Sequence, residues 1–144
     1  MIKIRSEGEL WEKFRDRGVK RKWHPTRIES GATKLGIPDV YLCITGQPTW
    51  VELKHSNNGE PFELRAAQHR WIQDEIAAGN HNIWILACVN EPGKDPLMLF
   101  IKGAHSAYLI RNNSVKDWID MARYVCFAAN MTTSTVEKVL CQRA

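Results

Sequence analysis

Three charged residues interrupt two stretches that otherwise read as buried strands. In GIPDVYLCITGQPTWVELKH, residues 36–55, Asp39 opens the first apolar run, and Glu52 and Lys54 sit in the second. Side chains alternate with period 2 along a strand and cross-strand partners share a face, so the parity of the connecting loop decides whether the three meet. A turn centred between Gly46 and Gln47 sets Asp39 opposite Lys54 and Tyr41 opposite Glu52, which brings Asp39, Glu52 and Lys54 to one face. Pro48 cannot donate the closing hydrogen bond of a two-residue turn, so a four-residue loop TGQP is expected, and it keeps the same parity. Neighbouring carboxylates repel unless a cation lies between them. Lys54 meets that need alone if the group is a partly buried ion pair with one extra acid. A divalent ion meets it if the group is a site: the hard oxygens of Asp39 and Glu52 suit Mg²⁺, which binds through one or two carboxylates and keeps water and substrate phosphate as other ligands. Lowering the pKa of a bound water, with an ammonium beside it to offset developing charge, is phosphodiester hydrolysis chemistry.

The segment ahead of the hairpin contributes charge of both signs. Ser6 and Glu9 fit a capping box that starts a helix at Glu7 and runs it to Gly18. Leu10, Trp11 and Phe14 mark its inward face. At about 100° per residue Glu7 falls on that face, Glu9 lies to one side and Glu12 points away. Glu7 either favours the helix dipole from solvent or joins the acids. Lys20, Arg21, Lys22, Arg27 and Lys34 dominate a basic run over 13–34 in which only Asp16 and Glu29 are acidic. Such a stripe suits phosphate contact or a solvated face.

The elements that must position these residues follow from periodicity. Residues 20–29 read as extended, with Pro25 at an edge or bend, and SGATKLG reads as a loop. Strands are expected over 37–44 and 49–55, then a helix from 62 or 63 to 78 with Ala67, Trp71, Ile72 and Ile76 as its packing stripe. Two further strands, 82–89 and 97–103, flank the turn NEPGKDP. A helix over 114–129 would turn Trp118, Met121, Ala122 and Val125 inward, and Ser134 with Glu137 would cap a last short one. Trp23, Trp50 and Trp84 lie in strand-like segments and read as core. This order suits an α/β fold with a mixed central β-sheet and helices packed on it.

Composition sets the bounds. The 144 residues are 44% hydrophobic and 25% charged, with a net charge of +4, which fits one globular domain. No apolar run approaches the roughly 20 residues of a membrane span, and MIKIRSEGELWEK lacks the apolar core of a signal peptide, so a cytoplasmic protein without membrane contact is expected. Cys43, Cys88, Cys126 and Cys141 show no ligand spacing and read as buried thiols, which disfavours zinc. His24, His69, His81 and His105 likewise read as surface or packing residues.

Pro38-Asp39 followed by Glu52-Leu53-Lys54 resembles the signature of the PD-(D/E)XK nuclease superfamily. The likeness extends to an acid-bearing helix ahead of the strands, Gly36 before the motif, and a following helix with Gln68 in LRAAQHRWI. In detail the chain is similar to the VRR-NUC group, which includes single-domain phage and bacterial proteins, and to archaeal-type Holliday junction resolvases, over about residues 6–89. The resemblance implies a restriction-endonuclease-like core over about residues 6–103 and a C-terminal helical extension over about 104–144, within a single nuclease domain. It implies Asp39 and Glu52 as metal ligands, the Leu53 carbonyl as a third protein ligand and Lys54 as the catalytic lysine. Glu7 matches the leading-helix glutamate, with Glu12 as fallback, and Gln68 matches a glutamine beside the active site unless it is an ordinary surface amide. Arg27 and Ser30 match loop residues that touch DNA. The implied activity is Mg²⁺-dependent endonucleolytic hydrolysis of DNA, with Mn²⁺ substituting and no small-molecule cofactor. A branched or junction substrate cut by a homodimer is the favoured form, since two opposed cuts need two sites about a two-fold axis. The alternatives are a nicking, flap or restriction-type nuclease on the same core, and a non-catalytic nucleic-acid-binding module.

Overall fold

A computed structural model describes residues 2–141. In chain order the elements are α1 (Glu7–Lys20), β1 (Thr26–Arg27), α2 (Ser30–Thr33), β2 (Val40–Ile44), β3 (Gln47–Asn57), α3 (Ala66–Ala77), β4 (Ile83–Asn90), β5 (Leu97–Lys102), α4 (Ser106–Leu109), α5 (Val115–Met121), β6 (Tyr124–Phe127) and α6 (Thr133–Leu140). The strands form one six-stranded sheet in sequence order, and only β3 and β4 pair in parallel, joined by the crossover helix α3. The fold is therefore mixed α/β, with helices on both faces of the sheet. On one face Leu10 and Phe14 of α1 and Val136 and Leu140 of α6 pack against Val51, Leu53 and Trp84. On the other, Leu109 of α4 and Trp118 of α5 pack with Phe62, Ile85 and Leu99.

The hairpin forms with a tighter turn than expected. Ile44 pairs with Gln47, leaving Thr45 and Gly46 as a two-residue loop with φ of 50° and 82°. Positive φ at both positions gives the loop the backbone twist that matches paired strands. Pro48 is compatible because it stands opposite Cys43. In the alternation of an antiparallel ladder that pair exchanges no hydrogen bonds, and the Cys43 N–H points outward to the Trp23 carbonyl at 2.9 Å. Each partner shifts by two residues relative to the expected register, so that Tyr41 faces Trp50 and not Glu52. Parity survives, so the acids still share a face.

Several other boundaries also differ. Helix α1 runs through Gly18, which is buried where Trp23 and Pro25 pack against it, and the Trp23 N–H donates to the Gly18 carbonyl. Positive φ at Lys22 and His24 breaks the expected extended run, leaving only Thr26 and Arg27 to pair with β2. The loop after them contains α2. Helix α3 starts at Ala66: Phe62 and Leu64 are buried ahead of it, and Arg65 at the cap position is still extended. The helix expected over 114–129 stops at Met121, and Tyr124–Phe127 pairs with β5 as an edge strand. Aromatic and β-branched residues favour a strand once an open sheet edge offers hydrogen bonds, so Val125 points outward instead of into the core. The last helix is capped by Thr132, whose hydroxyl accepts the Thr135 N–H, and not by Ser134.

Gly36 fixes how the hairpin meets α3. Its φ is +95°, and a Cβ at this position would fall on the Ala67 carbonyl of the first turn of α3. Gly46 has positive φ but open space around it. Gly36→Ala is expected to destabilise the fold by more than the roughly 1–2 kcal/mol that a left-handed conformation alone costs a side chain, and Gly46→Ala by about that amount. Urea unfolding of the two variants checks the difference.

Candidate active site

The site begins where the β2–β3 ladder ends. The last registered pair is Val40 with Val51; continued, the register would set Asp39 opposite Glu52 and Pro38 opposite Leu53. Trp50 of β3, and Asn58 just beyond its end, direct their N–H groups toward the β4 side. Odd-numbered Leu53 therefore directs its backbone toward β2. Its N–H is taken at 2.9 Å by Asp39 Oδ2. Its carbonyl would face Pro38, which has no N–H to give. A proline followed by an aspartate thus replaces backbone pairing with a carboxylate and leaves a neighbouring carbonyl open.

Glu52 lies beside this break and is only 2% exposed. Gln68 of α3 donates from Nε2 to Glu52 Oε1 at 2.9 Å, while its Oε1 accepts from Lys54 Nζ at 3.0 Å and from the Arg65 N–H at 2.9 Å. One amide therefore orients both an acid and an ammonium. Lys54 Nζ stands 3.8 Å from Glu52 Oε1. Glu52 Oε2 is buried and without a hydrogen-bond partner. Such an atom calls for a donor or a cation, since an unpaired buried acceptor costs about 1–3 kcal/mol, and more when charged.

Electrostatics point the same way. Burial pushes the Glu52 carboxyl well above its usual range, and the neighbouring Asp39 carboxylate adds to the rise, with Lys54 pulling partly back. Glu7 is also raised, by burial first and then by Asp39, while Lys54 and Arg27 oppose the shift. Arg27 pairs with Glu7 at 3.8 Å, and its guanidinium lies 5.6 Å over the Trp11 ring. A cleft of about 300 Å³ opens here, lined by Glu7, Lys54, His55, Glu63 and Arg65 among others.

Among the described residues, no three His, Cys, Asp or Glu side chains form a ready metal cage. The donors nevertheless fit a Mg²⁺-type ion, which needs only one or two carboxylates: Asp39 and Glu52, with the Leu53 carbonyl beside them. The orphaned Glu52 oxygen is the observation that makes the fit.

Glu7, Asp39, Glu52, Lys54 and Gln68 are brought together, and Arg27 joins them through Glu7. Glu12 is exposed on α1, away from the group. Lys20, Arg21 and Lys22 are exposed at the far end of α1, about 20 Å from Glu7 at 1.5 Å per residue. Lys34 is exposed on the loop before β2, and Ser30 opens α2 with a side chain that lies outside the described ones. Arg65 and His55 were not anticipated. The Arg65 guanidinium holds the Thr33 carbonyl at 2.8 Å, and a His55 ring nitrogen meets the Ile4 carbonyl at 2.7 Å. Gln68 at the third position of α3 accepts the Arg65 N–H, the one half of a capping box that an Arg cap residue, which has no side-chain acceptor, can form. The chain matches no protein-family model and no curated protein.

For the metal-free protein the sign of the pH dependence follows from Glu52. The unfolded chain releases this proton near pH 4.5, whereas the native state retains it to higher pH. Stability from this group therefore falls as pH rises above about 4.5. Glu52→Gln is expected to gain stability relative to the parent between pH 5 and 8 and to show no such gain near pH 4. Urea midpoints across that range check it.

Proposed function

We propose that this protein is a divalent-metal-dependent endodeoxyribonuclease of the PD-(D/E)XK type, built on a restriction-endonuclease-like core. The observation that carries the reading is the convergence of Glu52 and Lys54 on the Gln68 amide, next to Asp39 on the Leu53 N–H, with a buried carboxylate oxygen left without a partner. Branched DNA cut by a homodimer, in the manner of a junction resolvase, is the proposed substrate and assembly.

In this reading Asp39, Glu52 and the Leu53 carbonyl hold Mg²⁺ or Mn²⁺. When bound, such an ion supplies positive charge at the scissile phosphate and lowers the pKa of the attacking water. Lys54 presents its ammonium to a phosphate oxygen or to that water. Gln68 keeps Lys54 and Glu52 in register as charge develops, and the surrounding apolar residues limit solvent, which strengthens both interactions. Glu7 completes the negative rim of the cleft. Arg27, Arg65 and Lys34 offer cationic contacts to the flanking phosphates.

Incubation with a labelled four-way junction, a flap, a nicked duplex and a plain duplex tests this reading. Cleavage is expected with Mg²⁺ or Mn²⁺, and none with EDTA, Asp39→Asn or Glu52→Gln. Normal cutting by either variant would sink the assigned site, and cutting of forms other than the junction would discard the proposed substrate. Independently of turnover, Mg²⁺ at pH 7.5 is expected to raise the unfolding temperature of the parent protein and not of Glu52→Gln. Replacing Lys20, Arg21 and Lys22 with Ala is expected to flatten the salt dependence of DNA binding by up to about three in slope, as seen in log Kd against log salt.

A further inference from the structure

Of the six tryptophans, Trp23, Trp84 and Trp118 are fully buried. Trp50 and Trp71 are not. Both are partly exposed and belong to neither apolar core, and the same holds for Tyr41. The three form a continuous row: Tyr41 packs on Trp50 with ring centroids 5.0 Å apart, and Trp50 on Trp71 at 5.1 Å, both edge-to-face. Two edge-to-face contacts use at most two of six ring faces.

The row is continuous with the acids. Tyr41 pairs with Trp50 across the hairpin, two residues along each strand from Asp39 and Glu52, hence on the same sheet face and about 7 Å away. On α3, Trp71 lies three residues after Gln68, so the helix that orients Glu52 and Lys54 also carries the end of the row. Arg70, next to Trp71 on α3, is an exposed cation, whereas Arg27 pairs with Val40 and so lies on the other sheet face, against Glu7 and Trp11. An aromatic row that runs from Lys54 and the acids toward Arg70 has the composition of a single-strand platform, where bases stack and the backbone is held by charge.

Resting on the nuclease reading, we propose that Tyr41, Trp50 and Trp71 form a stacking platform for unpaired nucleobases of the DNA strand whose phosphate occupies the site. A paired duplex keeps its bases stacked on one another and gains nothing from the platform. Flaps, branch points and frayed ends have free base faces. The row would therefore be the feature that turns a general phosphodiester site into a structure-selective one.

The test is made in EDTA with the Glu52→Gln protein, so that it does not depend on cleavage. A flap with 2-aminopurine moved stepwise through the unpaired arm and the branch point is expected to show one or two positions whose fluorescence is quenched on binding. Trp71→Leu should abolish that quenching and weaken flap binding roughly 5- to 100-fold, the worth of one stacked base, with plain-duplex affinity unchanged. Tyr41→Leu gives the same comparison should Trp71→Leu fail to fold, and the quenching itself needs neither variant. No quenched position, or equal loss for flap and duplex, would overturn the platform. A protein that quenches without ever cutting would keep the platform and lose the nuclease reading; one that cuts without quenching would do the reverse.

Discussion

A carboxylate that is 2% exposed and has one oxygen without a partner is a burden on any fold. At Glu52 the penalty is on the order of a few kcal/mol, a large share of the stability of a domain of this size. The neighbouring elements reduce it without removing it. Gln68 supplies one hydrogen bond, Lys54 supplies charge at 3.8 Å, and Asp39 adds repulsion. A purely structural ion pair would be better served by losing one acid. The excess negative charge makes sense if a cation completes the group, which is why the proposed function rests on it.

The same constraint explains the arrangement of elements. Pro38 ends backbone pairing, so the Asp39 carboxylate takes the place of a strand partner for Leu53. Gly36 lets that corner approach the first turn of α3 closely enough for Gln68 to reach β3. Arg65 ties the loop before β2 to the start of α3 through the Thr33 carbonyl. The site is thus assembled from a broken ladder, one helix start and one loop, each holding the next. The partly exposed aromatic row beside it continues the same face, so that under the proposed function phosphate and unpaired bases would meet opposite ends of one surface.

Local periodicity was enough for much of this. Alternation in 37–44 and 49–55 specified the hairpin and the shared face, and a two-residue error in register changed the partner of Asp39 without changing the face, because a side chain's face depends only on odd or even spacing. The helical face calculation separated Glu7 from Glu12 because both lie on one regular helix. Alternation could not reveal the turn type at Thr45–Gly46, where the tolerance of Pro48 depends on which ladder pairs exchange hydrogen bonds. Nor could it reveal β6: Tyr124–Phe127 is a strand because β5 leaves an open edge, a fact about the sheet and not about the segment.

By itself, then, the sequence determined which charged residues could share a face, since that depends on counting along regular elements. Only the tertiary structure decided that Gln68 bridges Glu52 and Lys54, that one Glu52 oxygen is left without a partner, and that Trp50 and Trp71 stand outside the core. Those outcomes depend on where α3 lands on the sheet, and that is set by close packing at Gly36 and by the volumes of two cores built from residues far apart in the chain.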